Sequence, residues 1–223
     1  MIDFKKGIVL LAIIGLSACA NEKKKTAGQR EKPANPSEKI DNANEKPQSG
    51  LSDEEYQKKG KTIVKSTMGA LKTQLSQAIA KGGAPNAIRF CKVHAMPITD
   101  SLSEVYGARV ARVSDRNRNP QNAASDREEA IIENMRGSMQ AGQQPKPMVV
   151  ETGDKVVYYH PISIKSGLCL NCHGTPGEEI NQKTMAAIEE RYPHDQAKGY
   201  AMNDLRGLWK VQFAKNAPSS PKP

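Results

Sequence analysis

Cys169, Cys172 and His173 stand in the order Cys-Leu-Asn-Cys-His. Two thiols at this spacing can add across two vinyl groups on one edge of a porphyrin. An imidazole in the next place is then turned toward the iron. The pattern therefore suits covalent attachment of one c-type haem, with His173 as proximal ligand. Gly174-Thr175-Pro176-Gly177 follows and turns the chain away. Two other chemistries use the same residue types. A thioredoxin-like dithiol sits at a helix start after a strand and has no need of the His. A zinc site could take Cys169, Cys172 and His173, with Cys91 as fourth ligand.

The N-terminus weighs on that choice. Lys5 and Lys6 precede an apolar run from Gly7 to Leu16, which has the form of an export signal over residues 1–18. The run ends in Leu16-Ser17-Ala18-Cys19, a pattern similar to the lipobox of bacterial lipoproteins, with Cys19 as the lipidated residue. An ordinary signal peptide or an anchor helix is the alternative. Export places the chain where c-type haem is attached and disfavours cytosolic dithiol chemistry. Ala20 after the Cys fits sorting to an outer membrane, so the expected location is membrane-anchored, facing the periplasm, or the cell surface.

The chain has 223 residues, a formal net charge of +9 and four Cys. With Cys19 lipidated and Cys169 and Cys172 on haem, Cys91 has no partner. A lone Cys is most often a small buried hydrophobe. Here an iron needs a ligand opposite His173, and a thiolate is a strong one for ferric iron. His94, three residues on, is the fallback. His160, in a strand before Pro161, reads as a sheet residue, and His194 as a solvated loop residue. The seven Met that remain after signal cleavage, or an open position, complete the choices.

These residues must be carried by a fold. Residues 19–50 read as a lipidated flexible linker, too polar to order itself, with a reach of roughly 30 Å. Lys23-Lys24-Lys25 beside the lipid would be drawn to anionic headgroups, at about 1 kcal/mol each. The other cations are scattered, without a basic run interleaved with aromatics, so nucleic acid is not expected as a partner. The folded domain is expected over 51–213, with a disordered tail over 214–223.

Ser52 with Glu55 forms a capping box, and Val64, Met68, Leu71, Leu75 and Ile79 continue at helical spacing until Gly82-Gly83. A second helix runs from Pro85 to about Ala95, with Ala87, Ile88 and Cys91 on its apolar face, broken by Pro97. A third covers Ile98 to Val105. Arg109 to Val113 reads as a strand. Ser125 with Glu128 opens a helix through Met139. Met148 to Glu151 and Lys155 to Ser163 flank the hairpin turn Gly153-Asp154. Glu178 to Tyr192 reads as a helix, and Gly207 to Phe213 as a strand with Trp209, Val211 and Phe213 on one face. Helices first and antiparallel strands later give an α+β domain.

Several of these stretches together resemble a bacterial single-haem c-type family with a PAS-like fold, long catalogued as a haem-binding domain of unknown function. They are Ala87-Ile88-Arg89-Phe90-Cys91, Arg118-Asn119-Pro120-Gln121-Asn122-Ala123, Tyr159-His160-Pro161-Ile162, Cys169 to Gly174, and Tyr192-Pro193 with Asp195, Ala197, Gly199-Tyr200 and Asp204-Leu205-Arg206-Gly207. The resemblance implies a PAS-like antiparallel sheet with N-terminal helices packed around one c-type haem. It implies thioethers at Cys169 and Cys172, His173 as proximal ligand and Cys91 as distal ligand. Arg118 is a candidate for pairing with a haem propionate, with Tyr159, Tyr192 and Lys198 behind it.

Three functions follow. An iron with both axial positions filled exchanges electrons only, so a lipid-tethered electron carrier with a redox partner comes first. A redox or small-ligand sensor acting through a signalling partner is the alternative; a thiolate ligand favours it, and the expected lack of an output domain disfavours it. A peroxidase-like enzyme would need an open iron and an acid-base group such as His94.

Overall fold

The computed structural model describes residues 50–215. The signal peptide, Cys19, the linker up to 49 and the tail beyond 215 lie outside the described residues. The expected α+β class is found. A four-stranded antiparallel sheet, in the spatial order Arg109–Val113, Leu205–Ala214, Lys155–Ser163, Met148–Thr152, is covered by helices, the first of them N-terminal.

Helix α1 spans Asp53–Tyr106. Its start is the expected capping box, in which the Glu55 carboxylate accepts from the Ser52 backbone N–H at 2.8 Å. Gly82 and Gly83 divide it into two arms. Gly83 at φ 69° occupies a conformation that a side chain would oppose. Asn86 at the start of the second arm donates to the Ala78 carbonyl of the first at 2.8 Å. The expected break at Pro97 does not occur, and the second and third predicted helices are one arm. Proline leaves the carbonyl four residues earlier without its donor. That residue, Val93, is 59% exposed, so water can serve it. The arm ends at Gly107 in the left-handed region.

Strand β1 is Arg109–Val113 as expected, and α2 is Asp126–Gln140. Strands β2 (Met148–Thr152) and β3 (Lys155–Ser163) form the hairpin around Gly153-Asp154, with Met148 opposite Tyr159. Helix α3 is Gly167–His173 and α4 is Gln182–Arg191. Helix α4 is shorter than expected. The residues before it form a turn closed by Gly177 N–H to the Ile180 carbonyl, and Asn181 caps the helix by accepting from Thr184 N–H. Strand β4, Leu205–Ala214, runs one residue past the expected domain end.

Both faces of the sheet are buried, which explains the unbroken run Val156-Val157-Tyr158-Tyr159. Val156 and Tyr158 join Tyr56, Ile63, Val64, Trp209, Val211 and Phe213 beneath the first arm of α1. Val157 and Tyr159 join Ile132, Met135 and Leu208 beneath α2. Each such side chain contributes about 1.5–3 kcal/mol by leaving water. Gly60 lets α1 approach the sheet, since a Cβ there would collide with the Tyr158 ring. Glu128, on the inner face of α2, is buried but satisfied. Its carboxylate meets Lys210 Nζ at 2.6 Å and accepts from Ser125 N–H at 2.9 Å. Among the described residues no helix is long and apolar enough to cross a membrane.

A candidate haem site at the sheet corner

The Cys-x-x-Cys-His stretch forms α3, which follows β3 directly. A helix after a strand is also the setting of a dithiol motif, so it is the surroundings of His173 that carry the distinction. Gly174 ends the helix, its N–H donating to the Leu170 carbonyl at 2.8 Å. A Cβ at Gly174 would press on Glu179 and on that same carbonyl. The chain can therefore turn tightly just after His173, as the sequence suggested.

The segment from Asp195 to Tyr200 straps across α3. Tyr200 N–H donates to the His173 carbonyl at 2.9 Å and Gly199 N–H to the Gly174 carbonyl at 2.7 Å. The His173 ring lies on the Ala197 carbonyl, with Nδ1 at 2.8 Å. A carbonyl only accepts, so Nδ1 carries the proton and Nε2 keeps its lone pair. This is the usual arrangement of a metal-binding His. Burial holds the His173 pKa well below its ordinary value, and Arg118 and Arg206 push the same way. The ring is thus neutral, as a ligand must be.

Arg118 fastens these parts together. Its Nε and Nη2 meet the Asp195 carboxylate at 3.0 and 3.2 Å, and Nη2 also donates to the Cys172 carbonyl at 2.5 Å and the Ala197 carbonyl at 3.2 Å. The Asp195 side chain is 1% exposed. Burial raises its pKa, but the hydrogen bonds and charge of Arg118 outweigh that and hold it below the usual value. The Arg118 guanidinium is engaged within the protein, and it positions α3 and the strap. Lys198, another candidate, leans on Asp195 at 3.3 Å. Tyr159 lies away from the corner, its hydroxyl donating to Glu128 at 3.4 Å.

Cys91 comes to the same corner from the second arm of α1. Its helix face packs through Ile88 against Ile180, Ile188 and Tyr192, and Cys172 packs on that cluster. The Cys91 thiol is close enough to Cys172 to push its pKa up, after burial and against Arg118. Burial pushes the Cys91 thiol up, while Arg112 and Arg118 oppose it. Tyr192 is pushed up to about 12, chiefly by burial. Cys169 lies further out, with Ser166 Oγ at 3.4 Å.

His94 is not with Cys91. It is exposed and stacked on Phe90, ring centres 4.5 Å apart, over the groove between the two arms of α1. Residues three apart on a helix are rotated by only about 60°, and it is the Phe90 stack that draws the His94 ring toward the groove between the arms. His160 is a sheet residue as expected, with Nδ1 2.9 Å from Tyr158 Oη, and His194 is exposed. Among the described residues no three His, Cys, Asp or Glu side chains are grouped to hold a bare metal ion. That speaks against the zinc alternative.

Arg112 and Arg206 were not singled out from the sequence as candidate site residues. Both reach into the corner. Arg112 Nε is buried without a hydrogen-bond partner, and Arg206 donates to Ser114 Oγ at 2.7 Å. The one signal for Arg112 is a cation alternating with Val110 on the inward side of β1. The donor set fits haem: the thiols of Cys169 and Cys172, a neutral imidazole with one free nitrogen, a third thiol at Cys91, and cations without a carboxylate partner.

Comparison with known proteins agrees with the fold. The family model described as Tll0287-like matches residues 31–214, and the chain belongs to that family. Among solved structures, "Crystal structure of the cyanobacterial heme-protein Tll0287" matches with a TM-score of 0.51 at 21% identity. The match covers 74% of this chain and 98% of the cyanobacterial one. No curated protein matches.

Proposed function

We propose that this member of the Tll0287-like family binds haem, and more narrowly that it is a single-haem c-type cytochrome passing electrons to and from a protein partner. Cys169 and Cys172 carry the thioether links, His173 is the proximal iron ligand and Cys91 the ligand opposite. The heme-protein title of its structural neighbour accords with the broader reading. The observation that carries the narrower one is the His173 ring, whose Nδ1 is committed to the Ala197 carbonyl so that Nε2 is left for a metal.

Bound haem would supply a one-electron iron couple. The protein's own groups set its surroundings. Arg118 and Asp195 hold the strap that orients His173. Ile88, Ile188 and Tyr192 keep water from the Cys91 side. With Cys91 and His173 both on the iron, no position remains for substrate, which favours transfer over turnover. Lipid attachment at Cys19, anchoring to a membrane and a tethered search for the partner belong to the same proposal and rest on the sequence pattern.

One observation supports a sensor as the second reading. Cys91 lies on the arm of α1 that follows the Gly82-Gly83 break, so a change of ligand there could move a long element about a hinge.

Expression with c-type maturation tests the proposal. We expect the purified chain to keep one haem through acid-acetone extraction, with thioether-type haemochrome absorption. Cys169→Ala with Cys172→Ala should lose it. Zinc bound in place of haem, or no bound group, would overturn the reading.

A further inference from the structure

Resting on the haem reading, we infer that Arg112 and Arg206, not Arg118, take the two haem carboxylates. Arg112 and Arg206 line a cleft of about 150 Å³ at the end of the β1–β4 pair, together with Ser114, Asn117, Asn122, Ile162 and His173. That is smaller than the several hundred Å³ that enclose a whole small ligand. The cleft suits the edge of a larger molecule. Its lining sets charged and polar groups beside Val113, Ile162 and Gly207, whereas the Ile88 and Ile188 side of the corner is apolar.

Neither arginine is in a salt bridge with a carboxylate; Arg116, whose guanidinium lies on the Tyr200 ring and donates to the Lys198 carbonyl, is a third such cation nearby. Arg118 has Asp195, and Lys198 shares it. Arg112 lies over the Trp209 ring at 5.7 Å, and its Nε has no partner. Arg206 has only the Ser114 hydroxyl, the Tyr200 ring at 5.4 Å and the His173 ring edge. Its contact with His173 Nδ1 is not a hydrogen bond, because both nitrogens are donors. Arg112, Arg116, Arg118, Lys198 and Arg206 meet Asp195 as their one paired carboxylate, so positive charge at the corner is in excess. Buried charges persist when paired, and two carboxylates on one porphyrin edge supply the match.

Their placement fits as well. Arg112 is close enough to Cys91 and Tyr192 to interact with both, and Arg206 touches His173. The pair therefore reaches from the side of one proposed axial ligand to the side of the other. A guanidinium offers two parallel N–H donors to a carboxylate, which a Lys cannot.

Resonance Raman spectra of the holoprotein, read at the propionate bending bands, test this. Infrared difference spectra with carboxylate-labelled haem read the same groups. Arg112→Gln should move one propionate signal to the position of a solvated carboxylate, and Arg206→Gln the other. Arg112→Lys and Arg206→Lys, which keep the charge, should give smaller shifts in the same bands. These Lys variants serve if a Gln variant fails to fold. Arg136→Gln, at the surface pair with Asp115, should move neither. Propionate signals unchanged in both Gln or both Lys variants would overturn the assignment. So would wild-type signals that move as inorganic phosphate is added, since the guanidiniums would then hold a free anion. Loss of the haemochrome from wild-type protein would instead defeat the haem reading itself.

Discussion

The two arms of α1 lie on opposite kinds of surface. The first arm rests on the sheet through Tyr56, Ile63 and Val64, against Tyr158, Trp209 and Phe213. The second arm brings Cys91 to a corner of guanidiniums, a carboxylate, an imidazole and tyrosines. The sheet is held by burial that needs no particular partner. The corner is held by directed pairs, each of which strands a charge if its partner is removed. One helix thus joins a region built for stability to a region built for a ligand.

The sharpest way to break this contrast is to remove one half of the buried pair. Arg118→Ala leaves Asp195 ionised and enclosed, and should lower unfolding free energy by about 3–5 kcal/mol in urea titrations. A cost below about 1 kcal/mol would mean that the corner is hydrated and the contrast false. Ile132→Ala, at a fully buried position under α2, should cost about 2–4 kcal/mol by transfer and cavity terms. It should leave the absorption spectrum of the holoprotein unchanged, whereas Arg118→Ala should alter it.

Acid should separate the two regions as well. The Asp195 pKa is depressed in the folded chain from an ordinary 3.8. The stability this carboxylate adds is therefore complete above that value and lost as pH falls through the folded pKa. Wild-type protein should lose stability below about pH 4 more steeply than Asp195→Asn, measured by urea midpoints. The Asn variant should be weaker at neutral pH. Equal slopes would remove Asp195 from the account. Gly60→Ala tests the apolar region more gently. The gain of about 1 kcal/mol in helix propensity should be outweighed by collision with Tyr158, for a net loss of about 1 kcal/mol. The smallest effect should come from Arg136→Ala at a half-exposed surface pair, about 0.5 kcal/mol by thermal shift.

The apolar region was readable from sequence because burial leaves a periodic trace. β1 and the β2–β3 hairpin lie where alternation and turn residues put them, and the capping boxes at Ser52 and Ser125 mark both helix starts. Cys169, Cys172 and His173 were legible because covalent chemistry fixes their spacing. The polar corner was not. Arg118 was noticed for its charge, but its partner Asp195 lies far along the chain, and no local pattern shows that the two meet. Arg112 was not singled out, because one cation in a short β1 gives no local sign that it faces a cleft. Pro97 misled because a helix tolerates proline where the freed carbonyl faces water, and exposure is a tertiary fact. His94 was set beside Cys91 by spacing alone, while the Phe90 stack that turns it away needs the second arm in place.

The central claim is that His173 and Cys91 bind one iron from opposite sides. Low-temperature EPR of the ferric holoprotein beside Cys91→Ala tests it most directly. The account predicts a low-spin thiolate-type signal in the wild type that is lost in the variant, with haem still attached through Cys169 and Cys172. A spectrum that the substitution does not change would contradict it and leave Cys91 as a packing residue of α1.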